Sequence, residues 1–309
     1  MLRSLLLGVA GSPTARTLVE STPLTKPVVR RFVAGAEVTD ALEAVRAIVT
    51  SGRRVTLDHL GEDTSEARQA TETLQAYEQV LGLLAERGLA AGAEVSVKLS
   101  AVGQFLPTDG EKIALENARR ICEVAAAAGT TVTLDMEDHT TTDSTLGILR
   151  ELRVDFPWVG AVLQAYLRRT ESDCRELSGP GSRVRLCKGA YAEPESVAYQ
   201  DKAEVDSSYV RCLRVLMEGE GYPMVASHDP RMVAIARELA MRNGRNAADH
   251  EFQMLYGIRP AEQSAIAGRG ETMRVYVPYG QAWYGYFMRR LAERPANVGF
   301  FLRSLATRS

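Results

Sequence analysis

Polar or charged residues stand at the ends of eight short apolar segments: Asp58, Lys98, Asp135, Gln164, Arg185 with Lys188, His228, Gln253 and Tyr276. Lys98, Arg185 and Lys188, with Arg289 and Arg290 further along, predict a cationic mouth suited to anionic ligands. In VRLCKGAY the two cations are followed by Gly189, where a missing side chain lets the backbone approach a phosphate closely. A pyrophosphate-bearing cofactor fits that arrangement. In YFMRRLAE, residues Tyr286, Arg289, Arg290 and Glu293 recur at helical spacing and share one face. Two adjacent arginines there can grip a carboxylate from two directions. The plainer alternative is a solvated stripe carrying an Arg289–Glu293 pair worth about 0.2–0.5 kcal/mol.

Other chemistries find less support. The run LDMEDHTTTD offers Asp135, Glu137, Asp138 and His139, yet successive residues point in different directions and no second cluster completes a metal site. No metal is expected, and Asp143 with its preceding threonines reads as a helix cap. GPGSRV lacks the third glycine of a dinucleotide fingerprint and precedes a strand rather than following one; no Walker loop is present. A formal charge of −2 over 309 residues argues against nucleic acid as a partner. The four cysteines form no C-x-x-C pair and suit a reducing cytoplasm. The opening MLRSLLLGVAG is short for a secretory signal and reads as an amphipathic arm; no run approaches a membrane span.

The elements that must carry these residues follow from hydrophobic periodicity. Strands are predicted at Val55–Asp58, Val95–Leu99, Thr131–Asp135, Val159–Gln164, Val184–Lys188, Met224–Ser227, Glu251–Leu255 and Met273–Val277. Stretches such as Ala67–Leu84, Ile113–Ala127, Ser196–Met217 and Met232–Met241 have helical spacing. Strand–helix alternation without a linker predicts an α/β fold, one (β/α)8 TIM-type barrel over 54–309, with an N-terminal helical arm over 1–53 packed on it. Polar residues at strand carboxyl ends then surround the barrel mouth.

The ordered set LDHLGED (57–63), VSVKLSA (95–101), LDMED (134–138), LQAY (163–166), VRLCKGAY (184–191), SHD (227–229), EFQMLYG (251–257), VYVPYG (275–280) and YFMRRLAE (286–293) resembles bacterial proline dehydrogenase of the short, monofunctional kind. The resemblance implies a distorted barrel holding FAD, oxidation of L-proline to Δ1-pyrroline-5-carboxylate, and a membrane quinone as electron acceptor. Carried over by motif, Arg289, Arg290 and Lys98 would bind the proline carboxylate and Asp135 would orient Lys98. Tyr276, Tyr286 and Leu255 would wall the ring, and Glu62 would pair with Arg289 as a gate. Gln164, Arg185, Lys188, Gly189, Ala190, Ser227, His228 and Glu293 would hold FAD. The resemblance further implies a cytoplasmic protein peripheral to the inner face of the membrane, with a separate pyrroline-5-carboxylate dehydrogenase downstream. Ala192 stands where some relatives place a tryptophan beside the adenine. Two other readings remain: a Schiff-base aldolase using Lys98 or Lys188, and a non-catalytic flavin or proline sensor.

Overall fold

Among the described residues, two helices precede the first strand, α1 (Lys26–Arg30) and α2 (Val38–Thr50). The computed structural model describes residues 26–61 and 64–292. Strands and helices then alternate: β1 (Arg54–His59), α3 (Ala67–Glu86), β2 (Ala93–Val97), α4 (Gly110–Ala128), β3 (Val132–Leu134), α5 (Thr142–Asp155), β4 (Ala161–Gln164) and α6 (Thr170–Glu176). The series continues with β5 (Arg183–Cys187), α7 (Lys202–Glu218), β6 (Tyr222–Ala226), α8 (Pro230–Arg242), β7 (Glu251–Leu255), α9 (Pro260–Gly268), β8 (Met273–Tyr279) and α10 (Trp283–Ala292).

All ladders are parallel, in the order β3-β2-β1-β8-β7-β6-β5-β4. The two ends of that order meet through a bridge between Thr133 and Gly160, and the Leu134 amide donates to the Gly160 carbonyl at 2.9 Å. A Cβ on Gly160 would lie 2.6 Å from Thr133 Oγ1, so the closing strand approaches too near for any side chain. The predicted eight-stranded barrel is therefore the observed architecture.

Alternation along each strand sorts side chains into two environments. Val55 and Leu57 of β1, Val95 and Val97 of β2, and Val275 and Val277 of β8 are buried in the main core with the surrounding helices. α2 contributes Ala41, Leu42, Val45 and Ile48 to the same core, and α3 contributes Tyr77, Val80, Leu81 and Leu84, both at helical spacing. The N-terminal helices are thus continuous with the barrel's packing. The Ala34 amide also donates to the Pro278 carbonyl at 3.0 Å.

Boundaries differ from the sequence expectation in instructive places. Several strand ladders end one residue before the polar side chain expected at their end, β2 at Val97, β3 at Leu134 and β5 at Cys187. α7 starts at Lys202 rather than Ser196, since Asp201 caps it by accepting from the amides of Ala203 and Glu204 at 2.8 and 3.2 Å. The N-cap of α5 is Thr141, one of the threonines expected there, and it follows a short 3-10 turn (His139–Thr141) that Asp138 caps by accepting from the Thr140 amide at 2.9 Å. Asp143 lies instead in the first turn of α5 and pairs with Arg169 at 2.7 Å.

Candidate active site

The polar residues of the strands fall at every second position: Thr56 and Asp58, Glu94, Ser96 and Lys98, Thr133 and Asp135, Arg183 and Arg185, Glu251 and Gln253, Arg274 and Tyr276. That period of two turns them toward one another inside the ring. Deeper in the barrel, Glu94 accepts from Thr56 at 2.8 Å and from Arg183 at 2.6 Å, with Arg185 at 3.5 Å and Arg274 at 3.8 Å. Burial alone would raise the Glu94 carboxyl, but Arg274, Arg183 and Arg185 outweigh it and hold the group well below the usual carboxylate range. Glu251 accepts from Arg274 at 2.7 and 3.1 Å and from Gln253 at 2.6 Å.

The upper layer centres on Asp135. Its Oδ1 accepts from Ser96 at 2.6 Å and from Arg185 at 2.7 Å, and its Oδ2 accepts from the Tyr276 hydroxyl at 2.6 Å. Arg185 also donates to Gln253 at 2.6 Å, and its guanidinium lies 5.3 Å from the Tyr276 ring centre. Lys98 Nζ sits 3.7 Å from Asp135 Oδ2 and donates to Asp58 Oδ1 at 2.7 Å. Burial pushes the Asp58 carboxyl up, opposed by the adjacent Lys98 ammonium, and it pushes the Tyr276 phenol well above its ordinary value. Lys98, Asp135, Tyr276 and Arg185, which the sequence placed on four different strands, form one hydrogen-bonded cluster.

A second group of predicted residues lies around the ends of β4, β5 and β6. Lys188 Nζ donates to Asp206 of α7 and to Asp229, at 3.1 Å for the latter. Asp229 at the same time caps α8, accepting from the Arg231 amide at 3.1 Å. Gly189 has φ +107°, and a Cβ there would lie 2.2 Å from the Tyr166 ring, so the chain passes flat against that tyrosine. Glu193 fastens the loop that follows, accepting from the Tyr166 hydroxyl at 3.1 Å and the His139 amide at 2.9 Å. Gln164 donates to the carbonyls of Met136 and Glu137 at 2.9 and 3.0 Å. His228 Nε2 accepts from the Leu255 amide at 2.9 Å, so a neutral ring carries its proton on Nδ1. Ser227 Oγ accepts from the Asp229 amide, and Ala190 is exposed.

Tyr286 of α10 packs with Val33 and Leu60, which brings that helix beside the end of β1. The Arg290 guanidinium stacks 5.2 Å from the Tyr286 ring centre, and Arg289 is half-buried. Glu62, proposed as the gate, and Glu293 lie outside the described residues. In the LDMED run, Asp135 faces the barrel, Glu137 accepts from Ser100 at 2.6 Å and His139 bonds Glu193, so these acids and the histidine serve separate partners.

One expectation needs correction. Lys98, Arg185 and Lys188 do not leave the mouth simply cationic, because each is ion-paired with carboxylates from other strands or helices. Charges removed from water require such partners. Sequence reasoning also assigned no role to Glu94, Ser96, Glu251 and Arg274, and named Asp58 and Gln253 by position alone. Their signal was available as polar residues two apart within apolar strands.

The family described as Proline dehydrogenase matches residues 41–303. Proline dehydrogenase 1 of Bacillus subtilis (strain 168) is 39% identical over 276 residues, 89% of this chain and 90% of that protein. Proline dehydrogenase of Deinococcus radiodurans is 42% identical over 279 residues, covering 89% of each chain. The crystal structure of proline utilization A (PutA) from Bdellovibrio bacteriovorus, inactivated by N-propargylglycine, superposes with TM-score 0.81 at 27% identity, over 87% of this chain and 33% of that one.

Proposed function

As a member of the proline dehydrogenase family the chain oxidises L-proline, and we propose that it does so with FAD, yielding Δ1-pyrroline-5-carboxylate and passing electrons to a quinone. The observation that carries this reading is the cluster of Lys98, Asp135, Arg185 and Tyr276 at the barrel mouth. Removing hydride from the ring carbon beside nitrogen requires a fixed ring and an amine lone pair. Positioning is therefore the protein's main task. In this reading Lys98, Arg289 and Arg290 bind the carboxylate, each charge-assisted bond contributing about 1.5–3 kcal/mol. Asp135 holds Tyr276 and Arg185 in place around that ligand. Tyr276, Tyr286 and Leu255 wall the ring, and Glu62 closes over it with Arg289.

The residues present suit a flavin. Gln164 Oε1 is a buried acceptor without a hydrogen-bond partner among the described residues, as an N–H edge of a ring system would require. Lys188 and the backbone at Gly189 would hold the pyrophosphate, with Ala190, Ser227, His228, Glu293 and Arg185 as the further cofactor contacts. When bound, FAD would supply the hydride-accepting chemistry. The reading as an aldolase finds less support, since Lys98 is engaged by Asp58 and Lys188 by Asp206 and Asp229.

Among the described residues no helix is long and apolar enough to cross a membrane. We place the protein in the cytoplasm, meeting its quinone peripherally at the inner face of the membrane. The product passes to a separate pyrroline-5-carboxylate dehydrogenase. An anaerobic absorbance spectrum of purified protein tests the core of the reading: a bound flavin should bleach on adding L-proline. A flavin that stays oxidised, or its absence, would count against it. Reoxidation of the bleached protein by a soluble quinone then tests the acceptor.

A further inference from the structure

We propose that Asp58 is the positioning residue for Lys98, setting the ammonium group to receive the substrate carboxylate. This rests on the functional reading above, in which Lys98 binds that carboxylate. Asp58 Oδ1 accepts from Lys98 at 2.7 Å, a full ångström nearer than Asp135 Oδ2 at 3.7 Å. Asp135 is already committed: Ser96 and Arg185 occupy Oδ1, and the Tyr276 hydroxyl occupies Oδ2. Asp58 stands at the carboxyl end of β1, opposite Ser96 of the neighbouring strand, and is 1% exposed while Lys98 is 9% exposed. A fixed carboxylate on one side of an ammonium with three donors leaves the remaining hydrogens directed away from it. Without that anchor, a buried lysine would swing toward Asp135 and compete with Tyr276 for Oδ2. Two substrate-site side chains would move together.

The charge balance gives the proposal a distinctive sign. Asp58 and Asp135 neutralise Lys98 and Arg185, so a neutral residue at 58 adds net positive charge. If Asp58 served only to balance charge, Asp58→Asn would strengthen binding of an anion. If it positions Lys98, binding weakens despite the added charge. The holoenzyme variants Asp58→Asn, Asp58→Glu, Lys98→Met and Asp58→Asn/Lys98→Met should be measured with proline and with cyclopentanecarboxylate, which keeps the carboxylate and lacks the amine. Expected for Asp58→Asn is a rise of tenfold or more in both the proline KM and the inhibitor constant, with kcat changed less than threefold and flavin content intact. Asp58→Glu should not restore binding, because its carboxylate is displaced by a methylene. The double variant should match Lys98→Met within about twofold, since both changes remove one interaction.

Tighter anion binding in Asp58→Asn, unchanged binding constants, or losses that multiply in the double variant would each overturn the proposal. Should Asp58→Asn fail to fold, Asp58→Glu and the double variant, which leaves no lone buried lysine charge, decide the same question. Wild-type protein that fails to turn over proline would instead refute the functional reading.

Discussion

Asp135→Asn changes one atom and should disable the site. Oδ1 takes two donors, Ser96 and Arg185, whereas the one hydroxyl bound to Oδ2 can rotate to accept. The amide nitrogen will therefore occupy the Oδ2 position, with its oxygen facing Arg185. Arg185 then exchanges a charge-assisted bond for a weaker one, a loss of about 1–1.5 kcal/mol. Lys98 loses an anion 3.7 Å away and gains an amide donor in its place. Coulomb attraction at that range is about 4 kcal/mol at an effective dielectric of 20, partly offset because Asp58 remains. Taking about half of that second contribution, the disturbance is about 3 kcal/mol, or about a hundredfold in kcat/KM at 1.4 kcal/mol per decade. Steady-state kinetics with an artificial electron acceptor, alongside flavin content and a thermal melt, provide the assay. A folded, flavin-replete Asp135→Asn protein within threefold of wild-type kcat/KM would refute the reasoning and leave Asp135 a structural carboxylate.

Other expectations follow from the same geometry. Arg274→Met strands Glu251 and weakens the hold on Glu94, so urea unfolding should show a loss of about 3–5 kcal/mol. Adding Glu251→Leu should recover part of it, and simple addition of the two losses would contradict a paired network. Gly189→Ala places a Cβ against the Tyr166 ring at a positive φ, so purified protein should carry less flavin per chain; full retention would show that the loop adapts. Burial lowers His59 below its ordinary 6.5. The unfolded chain then binds more protons as pH falls, so its contribution to stability is present above about pH 6.5 and declines below it. His59→Phe should shrink the fall in urea midpoint between about pH 7.5 and about pH 5.5; an unchanged fall would assign it to other groups, among them His250, whose burial shifts it the same way.

The number and order of strands were legible because barrel strands are short apolar runs whose outer faces pack on helices at helical spacing. Lys98, Asp135, Arg185 and Tyr276 were legible as polar interruptions of those runs. Glu94, Ser96, Glu251 and Arg274 escaped attention because a polar residue within an apolar run reads as an end or a flaw, although the two-residue period from Glu94 to Ser96 to Lys98 marks a shared inner face. α6 and α9 are short, and their brief periodicity did not single them out.

Sequence by itself determined the elements, their alternation and the side chains available at the barrel mouth, since periodicity and strand ends are local properties. Tertiary structure decided which charge meets which. Asp135 takes Arg185 from 50 residues away and Tyr276 from 141, and Lys98 rests on Asp58, 40 residues before it. Those choices follow from strand register and from the requirement that every charge buried in the ring find an opposite partner. The sum of mouth cations suggested a cationic mouth for anionic ligands; folding paired Lys98, Arg185 and Lys188 with carboxylates and left a site whose specificity lies in where the pairs hold them.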